Sequence, residues 1–293
     1  MKITQVKPEW VKTEWLKNRR KRISSVRKSQ TIYRKVLNLR KELVAYGRML
    51  PQISSSAETE TKFFILGHGR SGSTLLVQLL NEHPKIHSEG EILNAAQHMK
   101  SFFPSLYVQG RRAKFPKQVY GFKVKLYQLV EDQCLMNPRE FVLDLYNQGW
   151  KIINLSRRNY LRSQVSHYVG RHRGFMHITT SQKASAFKES KVTIDCKDLI
   201  DGIERRDKYR EKEKEILQGL NYIEVVYEDD LLLQENHQRT CNKVFDHLDI
   251  EPVSVKAKLK KTTSSKLSEV IENYEEVVES LGKTKYANLL ELD

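Results

Sequence analysis

Apolar and polar positions along the chain fall into two regimes that take turns. Phe63-Phe64-Ile65-Leu66 is a short unbroken apolar run that ends at a glycine, as expected of a strand buried on both faces. Gly121-Phe122-Lys123-Val124-Lys125-Leu126 alternates with period two and predicts a second strand. Trp150–Leu155 and Tyr222–Tyr227 predict a third and a fourth. Helical stretches separate them. One follows the first strand through Leu75-Leu76-Val77-Gln78-Leu79-Leu80 and is broken at His83-Pro84. Another runs from about Asn159 to Tyr168. Strands separated by helices argue an α/β fold, with a parallel β-sheet flanked by helices and right-handed crossovers. Toward the C-terminus, Leu267, Val270, Ile271, Tyr274, Val277, Val278 and Leu281 form one helix face, with Gly282 placed as the residue just past its end.

The first sixty residues have a different pattern. No Gly or Pro interrupts Glu9 to Tyr46, and Tyr33, Val36, Leu37, Leu43 and Val44 recur at near-helical spacing. Leu50-Pro51-Gln52-Ile53-Ser54-Ser55-Ser56-Ala57 reads as a linker. The expected organisation is a basic helical extension and linker over residues 1–60, then one α/β domain over residues 61–293.

Charge sharpens that division. The 293 residues carry a net +15, and residues 1–50 hold 15 Lys and Arg against three Glu, a local +12. The rest of the chain is close to neutral. Two readings of the extension stand: a peripheral contact with an anionic membrane surface or polyanion, or a solvated helix that packs on the domain by its apolar stripe. Nucleic acid is not expected, because no basic patch interleaved with aromatics marks the body. Three scattered cysteines, Cys134, Cys196 and Cys241, form neither a disulfide framework nor a metal-ligand pattern. With no apolar leader and no membrane-length apolar run, a cytoplasmic protein is expected, peripheral at the inner membrane surface if the extension binds there.

The candidate chemistry sits after the first strand. Gly67-His68-Gly69-Arg70-Ser71-Gly72-Ser73-Thr74 has the spacing of a phosphate-cradling P-loop. Its backbone N–H groups and the helix end behind them suit an anion. The lysine that would reach a β/γ-phosphate is replaced by Ser73, and the cation stands at Arg70. Such a loop suits one phosphate in the cradle and a group to be transferred beside Arg70. Ser73 and Thr74 as simple helix caps are compatible with that role.

This stretch, a hydrophobic strand before Gly-Arg-Ser-Gly-Ser-Thr-Leu-Leu, resembles the 5′-phosphosulfate loop of sulfotransferases. It looks most like the bacterial carbohydrate sulfotransferases of the nodulation-factor type. The resemblance covers about Thr61 to Leu290. It implies a donor, 3′-phosphoadenosine 5′-phosphosulfate (PAPS), a product, PAP, and a carbohydrate or glycolipid acceptor; with no loop lysine and no acidic residue ending the Trp150–Leu155 strand, no metal is expected to be required. Arg70 would neutralise the departing oxygen, and Ser71, Gly72, Ser73 and Thr74 would hold the 5′-phosphate by N–H groups and hydroxyls.

The resemblance also implies a base from the Gly90-Glu91 pair. Glu91 is the expected proton acceptor, with Glu89 and His87 as alternatives. Beside a desolvated anion site its proton affinity is expected to be raised. The family's Arg followed eight or nine residues later by Ser falls on Arg157 with Ser166, as a 3′-phosphate pocket, with Arg158 as the alternative. Tyr227-Glu228-Asp229-Asp230-Leu231 resembles the Tyr-Glu-Asp-Leu signature. Its acids read as partners of basic loops, and Tyr227 is placed near the adenine. A basic turn carries the closing role to Lys261 and Thr262. Lys123 either faces the site or is an ordinary strand residue. The stretch His167–Ser185, rich in aromatics and arginines, suits acceptor specificity. Two other function classes compete: a P-loop kinase, and a non-catalytic membrane scaffold with a degenerate P-loop.

Overall fold

The computed structural model describes residues 36–48, 61–95, 100–115, 119–173, 191–257 and 266–291. The core is a five-stranded, all-parallel sheet in the order β2-β3-β1-β4-β5, from β1 (Thr61–Gly67), β2 (Ile86–Glu89), β3 (Val119–Lys125), β4 (Trp150–Ser156) and β5 (Tyr222–Val226). The helices are α1 (residues 36–48), α2 (Ser73–Leu80), α3 (Pro104–Arg112), α4 (Pro138–Asn147), α5 (Tyr160–Arg173), α6 (Cys196–Leu217), α7 (His237–His247) and α8 (Tyr274–Gly282). The expected α/β architecture is therefore observed. The four anticipated strands lie within a residue or two of their predicted bounds. The fifth, β2, is a four-residue edge strand without a strong pattern of its own.

Alternation within β1 splits the core into two layers. Phe64 and Leu66 join Phe122, Val124, Trp150 and Ile152 on the face covered by α3 and α4. Phe63 and Ile65 face α2 and α7 with Leu76, Leu79, Ile153 and Val225. A third cluster joins α5, the start of α6 and the C-terminal segment through Leu161, Ile203, Ile271 and Leu281. All five strands end at one edge of the sheet, where ligands bind in open parallel folds. The P-loop, Glu91, Lys125, Arg157 and Tyr227 all lie at or just beyond those ends.

Two expectations need correction. The long C-terminal helix is not continuous. A tight turn over Leu267–Glu269 precedes a parallel bridge between Val192 and Ile271, and α8 starts only at Tyr274. Asn273 explains the break. Its side chain donates to the carbonyl of Ile194 and accepts from its N–H, both at 2.9 Å, which ties this turn to the segment before α6 rather than to a continuing helix. Leu267, Val270, Ile271, Val277 and Leu281 are still buried, but from two segments rather than from one helix face. Gly282 is the last helical residue, and the cap Lys283 is right-handed.

The second correction concerns the extension. Its described part, α1, is helical as expected, but does not pack by its apolar stripe. Glu42 and Ala45 are buried, whereas Val36, Leu43 and Val44 are exposed. The Glu42 carboxylate accepts from Ser101 Oγ and from the N–H of Phe102. Ala45 abuts Gly110 of α3 so closely that a Cβ there would overlap its carbonyl. Among the described residues, no helix is long and apolar enough to cross a membrane.

Candidate active site

The loop begins where β1 ends. Gly67 lies against Leu155 of β4, and a Cβ on it would come within 2.5 Å of that residue's carbonyl oxygen. The chain then turns through Arg70 at φ 62° and Gly72 at φ 88° before entering α2. A left-handed arginine is uncommon and tends to mark a functional loop. Gly72 is the N-cap of α2, and no side chain caps the helix. Its first-turn N–H groups therefore meet the loop cavity without a competing capping oxygen.

Side chains from distant elements hold this turn. Ser71 is buried, and its hydroxyl donates to the His68 carbonyl at 2.7 Å. That hydroxyl braces the loop, so Ser71 retains only its N–H for an anion, a correction to the expectation that all three hydroxyls face the ligand. Arg157 donates to the Arg70 carbonyl at 2.8 Å, and Arg206 of α6 donates to that of Gly69 at 2.6 Å. His68 Nε2 lies 2.8 Å from Glu213 of the same helix. Tyr227 lies beneath the turn. A Cβ on Gly72 would come within 2.7 Å of its ring, and the Arg157 guanidinium sits 4.4 Å from the ring centroid.

Above the turn is a cluster of cations. The Arg70 guanidinium donates to Ser166 Oγ on α5 through Nε at 3.0 Å and Nη2 at 2.8 Å. Lys123 and Lys125 share one face of β3, since side chains alternate along a strand. Lys123 donates to Thr74 Oγ1 at 2.8 Å. It lies 3.4 Å from Glu91 Oε1, and Lys125 lies 2.8 Å from the same oxygen. Lys123 is thus a site residue rather than an exposed strand lysine. Its cation, borrowed from the neighbouring strand, stands over the loop that has no lysine of its own. Burial lowers the proton affinities of Lys123, Arg70 and Arg157.

Glu91 lies just beyond β2. Its Oε2 accepts from Asn94 at 3.1 Å and from Gln128 at 2.7 Å. Burial pushes its carboxyl up, but Lys125 and Lys123 outweigh burial and hold it at about 2. The expected raised proton affinity is therefore reversed: in this arrangement Glu91 is a fixed anion. Its alternatives are engaged elsewhere. Glu89 is bound by Arg111 and by the Tyr120 hydroxyl, and the His87 ring stacks on Phe115 at 3.8 Å. His167, next to Ser166, is half-buried. Burial lowers its proton affinity first, followed by Arg171, Arg70 and Lys125.

The two arginines after β4 point apart. Arg157 lies beneath the loop, as described. Arg158 is exposed and makes a two-pronged ion pair with Asp229. Glu228 accepts from the N–H groups of Arg158 and Asn159 at 3.0 and 3.1 Å. Glu228 and Asp229 are thus partners of the basic loop, as read from the sequence, whereas Asp230 accepts from the N–H of Val226 at 2.7 Å. Lys261, Thr262, Phe175 and His177 lie outside the described residues.

Arg206, Glu213, Lys125 and Gln128 contribute to the site without having been expected. A signal for the first two exists. They fall on the same stripe of α6 as buried Leu199, Ile203 and Leu217, at three- and four-residue multiples. A charge on the buried stripe of an otherwise polar helix points to an interior partner.

Residues 62–146 match the Sulfotransferase family (Sulfotransfer_3). The match takes in β1, the loop, Glu91, Lys123 and Lys125, and ends before β4. No curated protein sequence matches the chain. Among solved structures, a sulfotransferase from Alicyclobacillus acidocaldarius aligns at 12% identity over 79% of this chain and 96% of its own, with a TM-score of 0.45. Mouse sulfotransferase SULT7A1, solved in complex with PAP, aligns at 15% identity over 86% and 96%, with a TM-score of 0.35.

Proposed function

We propose that the protein is a sulfotransferase that moves the sulfuryl group of PAPS to a hydroxyl of a carbohydrate or glycolipid. The observation that carries the reading is the overlap of the family match with a P-loop that has Arg70 and Lys123 above it and no Walker lysine within it. The donor set fits a nucleotide phosphosulfate. Uncapped N–H groups at the start of α2 suit the 5′-phosphate, and the cations beside them suit the bridging oxygen and the sulfonate.

When bound, the donor supplies an activated sulfur on a phosphate leaving group. In the reaction, the S–O bond to the nucleotide phosphate breaks and an S–O bond to the acceptor oxygen forms. The acceptor's proton passes to Glu91. Arg70 neutralises the charge that builds on the leaving oxygen, and its hydrogen bonds to Ser166 aim it. Lys123 and Lys125 keep Glu91 ionised and pointed at the loop. When these lysines turn toward the sulfonate, Glu91 loses their opposing charge and its basicity rises. Arg157 supports the loop by its bond to the Arg70 carbonyl, so the 3′-phosphate falls to the exposed Arg158 rather than to the expected Arg157. The carbohydrate or glycolipid acceptor rests on the resemblance of the loop motif.

The test is transfer of radiolabelled sulfate from PAPS to a panel of sugar and glycolipid hydroxyls, with EDTA present. Labelled product in wild type and none in Arg70→Ala supports the reading. Turnover of Mg-ATP without sulfate transfer would replace it with a kinase.

A further inference from the structure

We propose that α1 and the turn entering α3 form a docking face for an anionic lipid bilayer. Among the described residues, eleven large hydrophobic side chains are exposed, and seven of them belong to this one region: Val36, Leu39, Leu43 and Val44 of α1 with Phe102, Phe103 and Leu106. Phe102 and Phe103 are 69% and 60% exposed, an unusual state for adjacent phenylalanines.

The patch is built on fixed backbone. Glu42, only 3% exposed, ties α1 to Ser101 and Phe102, and the Tyr46 hydroxyl accepts from the N–H of Phe103 at 3.1 Å. The Tyr46 and Phe103 rings meet edge to face at 6.1 Å. Helical spacing orders the residues around α1 from buried Ala45 through Glu42, Tyr46, Leu39 and Leu43 to Val36. The exposed stripe therefore begins where the anchored face ends, on the side that carries Phe102 and Phe103.

Charge identifies the occupant. Exposed Arg40, Lys41 and Arg48 lie on the same helix, Lys100 precedes the phenylalanines, and residues 1–50 carry +12. A second copy of the chain would set like charge against like. A polyanion in water would use the cations and leave the apolar stripe exposed. An anionic bilayer satisfies both: phenylalanine and leucine enter the headgroup–acyl boundary, and the cations meet lipid phosphates. The proposal does not depend on the catalytic reading.

Flotation of the full chain with vesicles tests it. The lipids are phosphatidylcholine alone or mixed with phosphatidylglycerol, each at low and high salt. The expected result is binding to the anionic vesicles only, weakened by salt. The triple variant Leu43→Ser, Phe102→Ser, Phe103→Ser should lower partitioning by at least about tenfold, given the apolar area withdrawn. Leu233→Ser, exposed in the turn that leads into α7, should leave it unchanged. All three replaced side chains are exposed, so an unchanged thermal midpoint verifies that the variant folds. No binding, equal binding to neutral vesicles, or full binding by the triple variant would each overturn the proposal. So would self-association through this face that the triple variant abolishes.

Discussion

Lys125 Nζ lies 2.8 Å from Glu91 Oε1, and with Lys123 it holds that carboxyl at about 2, against its ordinary 4.5. The sign of the consequence is fixed. A carboxylate depressed by folding stabilises the native state above its unfolded value, and that contribution is lost as pH falls through the folded one. The stability difference between wild type and Glu91→Gln should therefore be constant above about pH 4.5 and change between there and about pH 2. Urea unfolding at several pH values measures it. In Lys125→Met the acid-induced change should move to higher pH, because burial then faces one fewer opposing charge.

Glu91→Gln keeps the size of the side chain and removes the proton acceptor. Turnover should fall roughly 10²–10⁴-fold with PAP affinity retained, as for loss of a positioned base. Steady-state kinetics beside PAP titration separates the two effects. An equal loss in both would make Glu91 a structural ion-pair partner rather than a base.

Gly72→Ala should disturb the loop in two ways. The new Cβ would sit 2.7 Å from the Tyr227 ring, on a backbone at φ 88°. The cost should be about 1–3 kcal/mol of stability, with weakened PAP binding. Pairing it with Tyr227→Leu should recover the part due to the contact and leave the backbone part, which thermal melts of the single and double variants resolve.

Arg157 and Arg158 should fail differently when replaced by Met. Arg157 supports the loop from within, so its loss should lower both thermal stability and PAP affinity. A charge-assisted hydrogen bond is worth roughly 1.5–3 kcal/mol. Arg158 is exposed and paired with Asp229, and such a pair adds little to stability. Its loss should weaken PAP binding with the melting temperature unchanged. The opposite pattern would assign the 3′-phosphate to Arg157.

The parts of this structure that were legible in the sequence are those governed by short-range pattern. Apolar runs and alternation located four strands, and glycine spacing with Arg70 located the loop. What escaped depended on side-chain partners far apart in the chain. The Asn273 bonds to Ile194 interrupt a helix whose apolar periodicity is sound. Glu42 and Ala45, rather than the apolar stripe, attach α1, because a carboxylate can accept from the Ser101 hydroxyl and the Phe102 N–H and a small residue can approach Gly110. The low basicity of Glu91 is hidden from the sequence for the same reason. Burial alone would raise its proton affinity, and the two lysines that reverse it come from a strand more than thirty residues away.

A PAPS site at the loop is tested most directly by calorimetric titration of the full chain with PAP in EDTA, wild type beside Arg70→Ala. The expected result is one-to-one, metal-independent binding that Arg70→Ala weakens by roughly tenfold or more. Absence of binding in the wild type, or binding indifferent to Arg70, would contradict it.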